Sequence, residues 1–306
     1  MANDGKQLEA LVAFVENVLL PQGYEVKTNE KVYNDEGIQI AELDVEIRGK
    51  VGSTAIAWLI ECRDRPAEGP APGSWIEQLV GRRTRFAFNK VTAVSTTGFA
   101  AGAIEFALSQ GIELREVKAL SADEFDWLAI RSICSIEERI ILDAADVRID
   151  PSEPEERVAI LREIFTNMPL DKSVLRPANG GDPLSLVEAF LGAVREHGGF
   201  FDDVIPNGPE KVVEVETRYA DNDYFVLDCP PGTVRVATIV FRGKLSKHVT
   251  AVPLATTTEY RHQGGDSISQ TAVFATQQIR GEKFVLELHR ISESGQVALN
   301  LRKVQD

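Results

Sequence analysis

The chain has little of what marks secreted, membrane or disulfide-stabilised proteins. Its 306 residues include only three cysteines, which lie far apart and form no Cys-x-x-Cys pair: Cys62, Cys134 and Cys229. Isolated thiols in odd number favour a reducing compartment. No apolar run reaches the length of about 18 residues that a transmembrane helix needs, and the N-terminus lacks a basic segment followed by an apolar signal core. We therefore expect a cytoplasmic protein without a membrane span.

Common catalytic and nucleotide-binding motifs are also missing. The four histidines are scattered without the spacing of zinc ligands: His197, His248, His262 and His289. No P-loop, no Gly-x-Gly-x-x-Gly after a strand and no Gly-x-Ser-x-Gly elbow occurs. The sequence therefore gives no support for a zinc enzyme, a nucleotide-binding fold or an α/β-hydrolase.

Basic residues are in deficit, with 33 Lys and Arg against 47 Asp and Glu and a net charge of -14. Such a charge opposes broad, nonspecific nucleic-acid binding. Cations nevertheless cluster in one stretch, at Arg63, Arg65, Arg82, Arg83, Arg85 and Lys90. This cluster has two interpretations, a basic strip that follows one nucleic-acid strand or an ordinary solvated helix face.

Two acids at the ends of neighbouring predicted strands carry the most chemical information. Asp44 lies in the alternating segment 38–48, and Glu61 ends the apolar segment AIAWLIEC, two residues before Arg63. Residues two apart on a strand share a face. Carboxylates are the ligands that Mg²⁺ prefers, and a metal beside a cation can stabilise charge on a phosphodiester. The alternative is a solvent-facing Asp44 and a surface ion pair between Glu61 and Arg63 or Arg65.

The pattern of elements predicts an α/β core. Apolar spacing indicates a helix over 7–20 and another from Ser74, with Glu77 as its capping-box partner. The spacing of apolar residues and turn signals also predicts strands over 24–33, 38–48, 55–62, 91–95 and 112–117 and a helix over 100–110. Strands alternating with helices at these lengths imply right-handed crossovers and a mixed sheet flanked by helices.

The remainder of the chain has a different character. We predict three segments, a core over 1–120, a mixed connector over 121–208 and a β-rich domain over 209–306. The connector includes a predicted helix over 182–197 with Asp182 as N-cap. The last segment is a series of short strands separated by turn signals, which is typical of a sandwich, barrel or curved sheet.

The motifs of the first 120 residues, taken as a set, resemble those of a known family. IECRDR is followed by WIEQLVGRR, then by VTAVSTTGF and AAGAIEFALSQGIEL. With Asp44 upstream, this order is similar to the Asp…(Asp/Glu)-x-Lys signature of the PD-(D/E)XK nucleases, and most similar to the Mrr-like restriction endonucleases. The resemblance implies a restriction-endonuclease-like fold, cleavage of DNA and a Mg²⁺ or Mn²⁺ cofactor. It also implies a possible homodimer, because two active sites are often used to cut two strands.

Site residues follow from the same resemblance. Asp44 and Glu61 match the metal ligands, with the backbone carbonyl of Cys62 as a third. Gln78 matches the helical Gln beside the catalytic centre, and Glu9 matches the Glu of the first helix, with Glu16 as the alternative on a similar helix face. The resemblance also implies DNA contacts for the nearby arginines Arg65, Arg82, Arg83 and Arg85.

One position departs from the family pattern, since Arg63 stands where the family has Lys. Arg remains protonated, so it can bind phosphate but cannot act as a base. The leading interpretation is a metal-dependent DNA endonuclease, for which the resemblance suggests a role in restriction or defence. The alternative is a catalytically degenerate nuclease fold that binds or regulates through its β-rich C-terminal module. A third option is cleavage of RNA or single strands.

Overall fold

The computed structural model describes residues 5–121, 123–219, 223–230, 232–279 and 281–304. It divides into two compact units, one formed by Met1–Ile133 with Val252–Asp306 and the other by Cys134–Ala251. The three segments over 1–120, 121–208 and 209–306 stay a prediction, while the structure groups Val252–Asp306 with Met1–Ile133.

The N-terminal half of the first unit alternates strands and helices, as its sequence pattern predicts. Its elements in chain order are α1 (Lys6–Leu19), β1 (Glu25–Tyr33), β2 (Gln39–Val51), β3 (Thr54–Arg63), a 3-10 turn (Pro66–Glu68), α2 (Gly73–Arg85), β4 (Lys90–Ser95), α3 (Ala101–Gln110) and β5 (Glu113–Ala119). Strands β1 to β3 are antiparallel neighbours, while β3, β4 and β5 run parallel. The sheet is therefore mixed, as expected.

The C-terminal strands extend this same sheet. The end of β11 (Thr233–His262) pairs antiparallel with β5, so that Tyr260 lies opposite Val117. The order continues through β12 (Ser267–Phe274), β14 (Glu282–Ile291) and β15 (Val297–Lys303), with β13 (Gln277–Ile279) forming a hairpin with β14. The C-terminal region is strand-rich, as predicted.

The second unit packs helices against its own strands. Its elements are most of β6 (Ser132–Ile149), α4 (Glu155–Thr166), β7 (Ser173–Pro177), β8 (Leu184–Ser185), α5 (Leu186–Glu196), β9 (Lys211–Arg218), β10 (Phe225–Asp228) and the first part of β11. Phe190 of α5 packs against Phe241 of β11, with ring centroids 5.5 Å apart. This contact lies in a core formed within the unit.

Alternation along β3 places the first unit's sheet between two helical layers. Ile60 faces the core built with α1, whereas its neighbour Leu59 faces the core built with α2 and α3. Val94 and Ala93 of β4 divide between the same two cores. A strand apolar on both faces is what a sheet covered by helices on both sides requires.

Two predicted helix caps are wrong. Helix α2 begins at Gly73, after Pro72, without a side-chain cap, so Ser74 and Glu77 do not form a capping box. Helix α5 begins later than predicted, and its capping box is formed by Ser185 and Glu188 rather than by Asp182. The short strand β8 occupies the residues just before this helix, which displaces its start.

Candidate active site

The proposed site lies where β2 and β3 separate. Their backbone ladder ends at the pair Val45 and Ile60, while β3 remains paired with β4 as far as Arg63. Beyond the ladder, the amide of Cys62 donates to Oδ2 of Asp44 at 2.7 Å. A side-chain carboxylate therefore accepts the hydrogen bond at the point where the strands diverge, and this anchors Asp44 beside the end of β3.

Glu61 is buried at this strand end, with 5% of its surface exposed. Its carboxylate forms an ion pair with Nη1 of Arg82, which comes from α2. The same guanidinium donates to the backbone carbonyl of Glu42 at 3.1 Å. Arg82 thus bridges the helix to both β2 and β3.

Negative charge is concentrated around Glu61. Burial raises the pKa of Glu61 to about 8, the Asp44 carboxylate adds to that rise, and Arg82 opposes it. Glu9 contributes a further rise in the pKa of Glu61. Burial also raises the pKa of Asp44, although the Cys62 amide and Arg82 pull it down. Asp44 and Glu9 therefore both act on Glu61.

The Cys62 thiol is unsuited to nucleophilic chemistry. Burial raises its pKa well above the ordinary value, and the charges of Asp44 and Glu9 raise it further. A thiol held in its protonated form is a poor nucleophile.

Arg63 lies at the end of the same strand, on the same face as Glu61. Its side chain is 10% exposed and its Nη2 contacts Oε2 of Glu68 at 2.7 Å. Within the part of the chain that the structure describes, the buried Nε of Arg63 has no hydrogen-bond partner. An unsatisfied buried donor is costly, and it is most readily explained by a ligand oxygen or a water.

The two glutamates of α1 have different surroundings. Glu16 is 3% exposed and forms a buried ion pair with Arg115 of β5, and the hydroxyl of Tyr260 donates to it at 3.1 Å. Glu9 instead lies close enough to Glu61 to raise its pKa, whereas both glutamates raise the pKa of Cys62. The structure thus brings Glu9 to the site and places Glu16 in a separate ionic network.

The predicted DNA-contacting arginines are not equivalent. Arg82 is held by Glu61, and Arg83 donates to the backbone carbonyl of Gln110 at 2.6 Å. Arg85 is exposed on α2, with its guanidinium 5.3 Å from the centre of the Phe86 ring. Arg65 is exposed and contacts Glu68 at 3.2 Å. Arg65 and Arg85 are therefore the two that present charge to solvent.

Gln78 lies on α2 one turn before Arg82, which places both on one face of the helix. Its side chain is exposed and makes no hydrogen bond to the residues that the structure describes. It is therefore free to turn toward a ligand at the site.

The sequence does not predict two of the ion pairs at the site. Arg82 belongs to the predicted cluster of basic residues, and in the structure it forms an ion pair with Glu61. Its spacing of four residues from Gln78, which places both on one helix face, is the sequence signal for this position. Glu68 holds Arg63 from the 3-10 turn, and nothing in that Pro- and Gly-rich loop marked it as a partner.

The donor set at the strand ends fits a hard divalent cation. Among the described residues, no three His, Cys, Asp or Glu side chains form a metal cluster. Two carboxylates in mutual electrostatic contact do come together, Asp44 and Glu61, beside the backbone of Cys62. Oxygen donors with excess negative charge suit Mg²⁺ or Mn²⁺ and not a soft metal.

Within the described residues, no helix is both long and apolar enough to cross a membrane. The three cysteines are free thiols.

One comparison with known proteins identifies a family for the N-terminal part of the first unit. A search among curated proteins gave no match. A crystal structure titled as a protein of unknown function, AF1548, is similar at 20% identity and a TM-score of 0.30, covering 36% of this chain and 57% of that one. Residues 2–122 match the family model Mrr_cat, described as a restriction endonuclease. The N-terminal region of this chain is therefore an Mrr-like restriction-endonuclease domain of the PD-(D/E)XK type.

Proposed function

We propose that this protein is a divalent-metal-dependent DNA endonuclease whose metal ligands are Asp44, Glu61 and the carbonyl of Cys62. We base this proposal on the approach of a half-buried acid, Asp44, and a buried one, Glu61, at the ends of β2 and β3, where the pKa of each is raised. Neighbouring carboxylates with raised pKa values are typical of functional sites, where a bound cation offsets their repulsion. PD-(D/E)XK nucleases generally use divalent metal ions, which agrees with this assignment.

Each side chain at the site would have a separate role in metal binding and cleavage. A bound Mg²⁺ or Mn²⁺ supplies Lewis-acid stabilisation of the phosphodiester and lowers the pKa of a bound water. Asp44 is oriented by the Cys62 amide, so its second oxygen is available to the metal. Glu9 adds negative charge beside Glu61, which favours cation binding. Gln78 orients the water or the phosphate from α2.

Arg63 takes the place of the family's Lys. Its Nε is the buried donor that has no partner among the described residues, and it faces the same side of β3 as Glu61. A guanidinium binds phosphate oxygens through a planar fork. We infer that Arg63 holds the scissile phosphate or the attacking water and that no proton is abstracted by this residue. Activity through Arg63 distinguishes this account from a degenerate, binding-only fold.

DNA is the inferred substrate, and the exposed Arg65 and Arg85 are inferred contacts for its backbone. A net charge of -14 weakens binding to distant phosphates, so binding should depend on this local cluster and fall steeply with salt. The three free thiols support a reducing, cytoplasmic environment.

Cleavage of supercoiled plasmid, methylated and unmethylated, in Mg²⁺ or Mn²⁺ tests the proposal. We expect wild-type protein to nick or linearise the plasmid and Asp44→Ala to do neither. Glu46→Gln is a matched control, because Glu46 is a buried acid of the same strand that pairs with Arg48 at 2.6 Å. Cleavage that persists in Asp44→Ala would refute the assignment. Cleavage that appears only in Arg63→Lys would favour the degenerate fold.

A further inference from the structure

Strand β15 ends the sheet of the first unit and presents an apolar face to solvent. Among the described residues it pairs with β14 alone. Val297, Leu299 and Leu301 are 52%, 62% and 56% exposed, and their spacing of two places them on one face. Long, apolar edge strands are normally protected by charge, Pro or a covering element. Neither a charged residue nor Pro occurs from Val297 to Leu301, and the cations Arg302 and Lys303 stand only at the end of the strand.

The backbone of β15 is also oriented for pairing. At one end of the β14–β15 pair the amide of Val304 donates to the carbonyl of Lys283 at 2.8 Å, and at the other the amide of Ile291 donates to the carbonyl of Gln296 at 2.8 Å. In an antiparallel ladder, alternate residues direct both backbone groups to the same neighbour. Even-numbered residues of β15 therefore face β14, and odd-numbered ones direct N–H and C=O to the open edge.

The same three residues thus expose both apolar side chains and unpaired backbone groups. We propose that β15 is a homodimer interface, on which β15 of a second copy pairs antiparallel with Leu299 opposite Leu299. In this register Val297 lies opposite Leu301 of the other copy, and each pair exchanges two backbone hydrogen bonds. All six apolar side chains then pack against one another across the junction.

Side-chain chemistry favours this register over the one centred on Asn300. Centring the pair on Asn300 would place Val297 opposite Lys303, so an apolar side chain would face a cation. Centring it on Leu299 places Arg302 opposite Gln296 and Lys303 opposite Gly295, so no like charges oppose each other. The strand is therefore complementary to itself, as an isologous two-fold contact requires.

A second copy is the occupant that this pattern fits. The interface consists of one short strand from each side, which is small for a stable complex, so we expect a dissociation constant on the order of micromolar. Because each copy carries a net charge of -14, added salt should strengthen the dimer by screening long-range repulsion. The inference concerns β15 alone and does not rest on the proposed nuclease activity.

Light scattering after size exclusion, on the full chain over a concentration series, tests the proposal. We expect the mass to rise from 33.7 kDa toward twice that value as concentration increases. Leu299→Lys should remain monomeric, because it places two cations directly opposite each other. Leu108→Lys is the matched control, since Leu108 is 81% exposed on α3 and away from β15.

Two further variants test the register and guard against misfolding. Leu299→Pro removes only an outward amide, so it should keep the fold, by circular dichroism, and abolish the dimer. Mixing Leu299→Glu with Leu299→Lys should restore the dimer mass, because position 299 faces itself. A wild-type mass that stays monomeric roughly a hundredfold above the expected dissociation constant would overturn the proposal. So would a dimer that survives both Leu299→Lys and Leu299→Pro.

Discussion

Arg82 of α2 forms an ion pair with Glu61 at the end of β3, so the site carries an internal cation where a metal ion would compete. The guanidinium is 35% exposed, whereas the Glu61 side chain is 6% exposed. Because Arg82 is partly exposed, breaking its ion pair costs little free energy. The buried carboxylate of Glu61 would then need another counter-ion. Metal binding and the position of Arg82 are therefore coupled in this account.

Removing that internal cation should favour metal. At pH 9, where Glu61 of the wild type is ionised, we expect Arg82→Gln to bind Mn²⁺ up to roughly fivefold more tightly, which corresponds to about 1 kcal/mol for an ion pair of this exposure. The gain is reduced to the extent that removal of Arg82 raises the pKa of Glu61 further. Calorimetric titration measures this, with Arg83→Gln as the control because Arg83 contacts Gln110 instead. Equal affinity in Arg82→Gln and wild type would show that the ion pair does not compete with metal.

Metal affinity should rise with pH. The pKa of Glu61 is raised to about 8, so below that pH its carboxyl is protonated and must release a proton to bind a cation. Affinity should therefore increase by up to about tenfold per pH unit below pH 8 and level off above it. Mn²⁺ titrations between pH 6 and pH 9 check this. A pH-independent affinity would mean that Glu61 is not a ligand.

The same raised pKa has a consequence for stability. Because Glu61 holds its proton more tightly in the folded state, its contribution to folding is most favourable at low pH and is lost as pH rises from about 4.5 to about 8. In metal-free buffer, Glu61→Gln should remove this loss, which is at most about 1.4 kcal/mol per pH unit. Urea unfolding of the two proteins at pH 5 and pH 8.5 measures the difference. If wild type and Glu61→Gln lose the same stability between pH 5 and pH 8.5, titratable groups other than Glu61 cause the loss.

Arg63 should be replaceable by Lys and not by a neutral residue. Arg63→Ala should lower the cleavage rate by more than about a hundredfold, the range for removing one charge-stabilising donor, while Arg63→Lys retains most of it. Single-turnover cleavage rates test this. Glu68→Gln is a useful comparison, because it removes the charge of the carboxylate that pairs with Arg63 and keeps Arg63 itself. Full activity in Arg63→Ala would exclude a role for this residue.

The two glutamates of α1 should separate into a structural and a functional one. Glu16→Ala removes one of the two carboxylates that pair with the buried Arg115 and leaves Glu113 as the other, so we expect a loss of about 1–3 kcal/mol in the free energy of unfolding. Glu9→Gln should instead weaken Mn²⁺ binding, because it removes negative charge near Glu61. Denaturant titration and Mn²⁺ titration of both variants show which glutamate stabilises the fold and which supports metal binding. The reverse pattern would make Glu16 the residue that supports the site.

The N-terminal half was predictable because its signals are local. Alternation in β2, an apolar β3 and helical spacing in α1 and α2 each specify an element, and short connections limit how these elements can be arranged. The pairing of β5 with the end of β11 was not predictable, since Tyr260 meets Val117 across a long sequence separation that no local pattern records. For this reason the C-terminal strands were assigned to a separate domain.

The proximity of the candidate site residues was predictable to the same extent. Asp44, Glu61 and Glu9 were identified from motifs, and the structure brings them together. The role of Arg82 depends on which turn of α2 faces the end of β3, and this is a property of helix packing that the spacing of charges alone leaves open.

Direct measurement of Mn²⁺ binding to wild type and to Asp44→Asn, at pH 9 by electron paramagnetic resonance, tests the central claim that Asp44 and Glu61 together hold a metal ion. We expect about one ion per chain in wild type and a loss of at least tenfold in affinity in Asp44→Asn, as for removal of a ligand or of its orienting partner. Glu46→Gln should bind as wild type does. Unchanged binding in Asp44→Asn, or no binding in wild type, would contradict the claim.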